Sequence, residues 1–133
     1  MIKKIFITIL LSITMISNSY SAGSSSSGGE GDGPKTKTNY EKAVKLIKSA
    51  NKYEKKGEKD KAQSSYEKAL KLLLKSNNKK PNKPDTLNYL GFTSRKLGDF
   101  ENGEKYYLQG LAINPYHIGI NEYLGELYVA TNR

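Results

Sequence analysis

The sequence predicts an all-α fold of stacked helical hairpins, a short α-solenoid of about five helices. Three features predict it. The tripeptide Tyr-Leu-Gly occurs at 89–91 and again at 123–125, 34 residues further on. Apolar residues recur at three- and four-residue spacing through several stretches, the mark of helices with one buried stripe. Glycine turns at Gly57 and at Gly98-Asp99 divide those stretches into pairs.

The first 38 residues stand apart from this pattern. Residues 1–22 open with Lys3 and Lys4, continue through an apolar run over 5–16, and end in Ser19, Ser21 and Ala22. That is the layout of a secretory signal peptide. The run is shorter than the ~20 residues a membrane-spanning helix needs. Export to a periplasmic or secreted space is therefore expected, with removal of the leader. Residues 23–38 are Gly- and Ser-rich with almost no apolar side chains, so burial cannot offset their ordering entropy and a flexible linker is expected. The chain has no cysteine, which excludes disulfides, thiolate metal sites, cysteine catalysis and lipid attachment through a cysteine.

The repeat domain occupies 39–133. Thr38 or Asn39 caps the first helix, which runs to about Lys56 with Tyr40, Ala43, Val44, Ile47, Ala50 and Tyr53 on one stripe. Gly57 ends it. The second helix spans about 59–77 and turns Ala62, Tyr66, Ala69, Leu70, Leu73 and Leu74 inward. A loop over 77–84 leads to a third helix at about 85–97. The fourth spans about 100–113 and stops at Asn114-Pro115. The fifth runs from near His117 to about Thr131. The units are 43–76, 84–117 and an incomplete 118–133. Ala50 and Gly91 are 41 residues apart, against 34 for Gly91 and Gly125. Seven extra residues therefore separate the first two units, and the run Leu72-Leu73-Leu74 accounts for part of them by lengthening helix two.

The motifs Leu87-x-x-Leu90-Gly91, Gly103-x-x-x-Tyr107, Gly110-Leu111 and Pro115 resemble the tetratricopeptide repeat, and Leu124-Gly125-x-x-Tyr128 repeats its opening. Ala50-x-x-Tyr53, Ala62-x-x-x-Tyr66 and Ala69 form a looser copy upstream. Ser94 departs from the family pattern, which has Tyr there. The resemblance covers roughly 43–131. It implies that the small residues Ala50, Ala62, Ala69, Gly91, Gly103, Gly110 and Gly125 pack helix against helix. It also implies a non-enzymatic scaffold that binds a peptide or protein in a concave groove lined by the first helix of each unit. Carried onto this sequence, that lining is Asn51, Glu54 and Lys55, then Asp85, Asn88, Phe92, Arg95 and Lys96, then Glu122 and Glu126. Phe92 lies off the main apolar stripe between Asn88 and Arg95, so it is expected to be an exposed anchor for a partner.

Charge is uneven. Residues 35–83 hold 16 lysines against five acids, whereas 84–133 hold four basic residues against six acids. The lysine-rich first hairpin suggests a second reading, an adhesion module for anionic lipid or polymer. Of 22 basic residues only Arg95 and Arg133 are arginine, so nucleic acid is not expected as a partner. One histidine, His117, cannot complete a metal set or a catalytic triad, and no cofactor is expected. His117 is read as a surface or capping residue. The last helix carries Ile118, Ile120, Tyr123, Leu124, Leu127, Tyr128 and Val129, apolar on every side. Chain continuing past residue 133 is expected to cover that face, with self-association through this helix or fraying of the helix as the alternatives.

Overall fold

The computed structural model describes residues 36–133. The signal peptide expected at 1–22 lies outside the described residues, as does the linker apart from Thr36, Lys37 and Thr38. Five helices follow: α1 Asn39–Lys55, α2 Lys59–Lys79, α3 Pro84–Lys96, α4 Phe100–Ile113 and α5 Ile118–Ala130. Among the described residues there is no strand, and no helix is long and apolar enough to cross a membrane.

Each helix packs on the next. In addition α1 touches α3, and α3 touches α5. The first helices of the hairpins thus form one layer, with α2 and α4 in the other. Local chemistry sets where each helix begins. The Thr38 hydroxyl accepts from the Glu41 amide at 3.2 Å, and the Glu41 carboxylate accepts from the Thr38 amide at 2.8 Å. This reciprocal capping box makes Thr38 the cap of α1 rather than Asn39. Asp99 caps α4 by accepting from Asn102 N at 3.1 Å. His117 caps α5: its Nδ1 accepts from Ile120 N at 3.1 Å, and its Nε2 lies 3.0 Å from Asp85 Oδ1. With Nδ1 accepting, Nε2 carries the proton and donates to Asp85. Gly57 and Gly98 close α1 and α3 at φ 76° and 85°, the left-handed conformation that costs glycine nothing.

The insertion between the first two units is one feature. Helix α2 has 21 residues and α4 has 14, so the seven extra residues all lie in α2. The expected loop start at Asn77 is thereby corrected, because the helix continues to Lys79. Seven residues are close to two whole turns. The lengthened helix therefore releases the chain on nearly the side it would have left without them, and the next hairpin keeps its place. Leu73 is fully buried and anchors the extension, whereas Leu74, expected inside, is 39% exposed. One residue along a helix is ~100° around it, so both cannot face the core.

The small residues decide how closely the layers approach. A Cβ built on Gly91 would sit 2.4 Å from the Tyr107 ring, and one on Gly110 would sit 2.4 Å from Ile120 Cδ1. A Cβ on Gly103 would lie 3.3 Å from the Gly91 carbonyl oxygen. Ala50, Ala62 and Ala69 are buried in the first hairpin. Gly125 is different. It is exposed, and a Cβ there would meet nothing within 4 Å. Its expected packing role is not realised within the described residues. On α5, Ile120, Leu124 and Leu127 are buried, while Ile118 and Val129 are 82% and 77% exposed.

Candidate partner-binding face

The layer made by α1, α3 and α5 carries the residues that the repeat pattern assigns to binding. The structure divides them into two groups. Glu54, Lys55, Asp85, Glu122 and Glu126 are exposed, and Asn51, Arg95 and Lys96 are half-buried. Asn88 and Phe92 are buried.

Phe92 corrects the expectation of an exposed anchor. It is 7% exposed and packs between helices. Its ring lies 6.2 Å from Tyr66 of α2, edge-on, and 5.0 Å from Tyr123 of α5, tilted. Two cations cover this row. Arg95 stands 5.7 Å over Phe92 and 5.9 Å over Tyr123. Lys96 stands 5.8 Å from both the Tyr66 and Phe92 rings. Residues on the face of α3 that would point into a groove in isolation instead meet side chains from the helices on either side. Sequence spacing along α3 alone does not contain that information.

Ion pairs stitch the same layer together. Lys96 Nζ reaches Glu54 Oε2 at 2.6 Å, linking α3 to α1. Arg95 reaches Glu126 Oε2 at 2.5 Å, linking α3 to α5, with the arginine side chain only 13% exposed. Asp85 accepts a hydrogen bond from His117 Nε2 at the start of α5. Asn51 accepts from the Tyr66 hydroxyl at 2.6 Å. Solvent-accessible ion pairs such as Glu54–Lys96 contribute ~0–1 kcal/mol each. Their larger effect is to hold the three helices in one register, so the face is formed before any partner arrives.

Between these links lie three half-buried tyrosines, one on each helix: Tyr40, Tyr89 and Tyr123. Tyr40 and Tyr89 meet edge-to-face with centroids 5.9 Å apart. Burial first, then the Asp85 carboxylate, pushes the Tyr40 phenol up to about 12. Sequence reasoning did not single out Tyr89 or Tyr123 for binding. The signal was the Tyr-Leu-Gly repeat itself, in which the tyrosine precedes the packed Leu-Gly pair and falls at the edge of the buried stripe.

Behind the face, Tyr66 and Tyr107 are 1% and 0% exposed, and burial is the main cause that pushes both phenols well above 10. The Arg95 guanidinium opposes the shift at Tyr107, although neither the Tyr107 hydroxyl nor Arg95 Nε has a hydrogen-bond partner among the described residues. A raised phenol pKa means the folded state keeps a proton that the unfolded chain has lost. The stabilisation is complete below the unfolded value near 10 and is lost as pH climbs toward the folded values. Unfolding free energies from urea titrations should therefore hold steady to about pH 9 and fall above pH 10, by ~1.4 kcal/mol per pH unit for each phenol so held. The Tyr66→Phe/Tyr107→Phe variant should flatten that fall, and an unchanged slope in it would contradict the assignment.

The comparisons with known proteins agree with this architecture. A family model described as Tetratricopeptide repeat matches residues 46–72 and 85–117. No curated protein matches the chain significantly. The first matched segment stops at Leu72, where the two extra turns of α2 begin. Tetratricopeptide repeats are in general protein–protein interaction modules, and the family is typically a non-enzymatic scaffold. With two matched segments, and with buried alanines closing the first hairpin and glycine contacts the second, the chain carries tetratricopeptide repeats at 46–72 and 85–117.

Proposed function

We propose that this protein is an exported scaffold that binds a peptide or protein partner on the α1–α3–α5 face. The observation that carries the reading is the row of Tyr40, Tyr89 and Tyr123, one per helix and each half-buried. Tyrosine offers a large apolar area and a hydroxyl while losing little rotamer freedom, so it is enriched where partners dock. Exposed Lys55, Asp85 and Glu122 flank the row and supply charges of both signs for orientation. Glu54, Arg95, Lys96 and Glu126 support the face through their mutual pairs, and Phe92 and Asn88 support it from beneath. The sequence features of 1–22 favour an envelope or secreted setting.

Affinity for a partner purified from the cell envelope tests the reading. Tyr89→Ala should weaken binding about tenfold or more, as for a well-placed aromatic anchor, with the helical circular dichroism unchanged. Lys105→Ala, exposed on α4, should leave binding as it was. Unchanged affinity in both Tyr89→Ala and Glu122→Lys would remove this face from consideration.

A further inference from the structure

The extension of α2 builds something the second hairpin lacks. Its last turns overhang the starts of α1 and α3 and border an open-sided cavity of about 540 Å³. Ser76, Lys79 and Lys80 line it from the α2 end, Thr36, Lys37 and Tyr40 from the start of α1, and Lys83, Asp85 and Thr86 from the start of α3. Ser76 and Lys79 belong to the seven residues by which α2 exceeds α4.

Four lysines converge on this space, and none forms an ion pair among the described residues. Asp85 is the one carboxylate in the lining. It is engaged by His117 Nε2 at 3.0 Å and is 78% exposed, so it offsets one positive charge at most. The start of α3 is uncapped: no side chain bonds to it. The amides of Asp85 and Thr86 have no acceptor among the described residues, and the first bonded amide is Leu87 N, to Lys83 O at 3.0 Å. Free amides and the positive end of the helix dipole together favour an anion. Thr86 adds an independent sign. It is 5% exposed, lines the cavity, and its hydroxyl makes no hydrogen bond among the described residues. Its oxygen stays open to the cavity, where a ligand can take up its hydrogen bond.

We propose that this cavity binds a phosphate monoester or diphosphate group. Lysines supply point charges that phosphate accepts without bidentate geometry. The two α3 amides and the Thr86 hydroxyl then bond the oxygen atoms. The volume falls in the range of small-molecule sites, ~300–1,000 Å³, larger than one phosphate needs, so an attached organic group fits beside it. The phosphate belongs either to a soluble ester or to a lipid headgroup. This site uses the opposite end of α3 from Arg95 and Lys96, and it shares Tyr40 and Asp85 with the edge of the partner-binding face.

The test titrates the isotope-labelled full chain with pyrophosphate and follows backbone amide signals. The amides of Asp85 and Thr86 should shift in a saturable way. Lys79→Gln/Lys83→Gln should weaken that binding about tenfold or more, and Thr86→Val about tenfold, the loss expected for one hydrogen bond to a charged group. Vesicles distinguish the sources. Retention on phosphatidylcholine vesicles containing phosphatidic acid, reversed by pyrophosphate, assigns a lipid headgroup. Saturable pyrophosphate binding without such retention assigns a soluble ester. Asp85 and Thr86 amides that stay unmoved in the unsubstituted chain would overturn the proposal. So would binding that disappears with the lysines but is untouched in a folded Thr86→Val chain, which would show diffuse attraction only.

Discussion

Replacing Gly91 with leucine should destabilise the fold by about 3 kcal/mol, the upper part of the usual range for overpacking. The first added carbon would already stand 2.4–2.8 Å from three atoms of the Tyr107 ring. That ring is fully buried and has nowhere to move. Thermal unfolding should drop by about 10–20 °C for a domain of this size. Gly125 holds the same place in its own Tyr-Leu-Gly and supplies the control. Nothing stands within 4 Å of its added Cβ, so Gly125→Ala should instead gain up to about 1 kcal/mol of helix propensity. Two glycines identical in sequence context are thus expected to respond with opposite sign. Equal responses would mean that the α3–α4 crossing is not where the structure puts it.

Phe92→Ala should cost about 3–5 kcal/mol, as for other buried aromatics truncated to alanine. The change opens space between Tyr66 and Tyr123 and removes the surface over which Arg95 and Lys96 lie. Urea denaturation measures it. The result matters for function as well, because a partner that fails to bind Phe92→Ala would be reporting unfolding and not a lost contact. Phe92→Leu keeps most of the volume and should cost under about 1.5 kcal/mol. A Phe92→Ala chain as stable as the original would return Phe92 to the surface.

Much of the fold is legible from the sequence because each helix states its own limits. Gly57, Gly98-Asp99 and Asn114-Pro115 mark ends by backbone chemistry, and α4 lies where the apolar spacing puts it. The Thr38-x-x-Glu41 box was there to be read and fixes the first cap. The end of α2 was harder. Asn77-Asn78-Lys79-Lys80 reads as a loop by composition, yet Leu73 beneath carries the helix two turns on. Tertiary burial outweighs weak local preference there.

The binding face was less legible. Which face of α3 meets solvent depends on α1 and α5, and they cover Asn88 and Phe92. The Glu54–Lys96 and Arg95–Glu126 links join residues 42 and 31 positions apart, a separation at which only the stacked helices bring them together. The cavity beneath the α2 overhang was equally hidden. Its lysines could be counted in the sequence, but their convergence on an uncapped helix start required the insertion to be helical.

A protein partner is proposed to dock across α1, α3 and α5. The absence of cysteine allows a direct test. Single cysteines placed at Lys55, Tyr89 or Glu122, each carrying a short photoactivated crosslinker, should capture the partner in the envelope fraction. Cysteines at Lys68 of α2 and Lys105 of α4, both exposed on the other layer, should not. Capture from Lys68 and Lys105 with none from the first three positions would place the partner on the opposite layer and contradict the account.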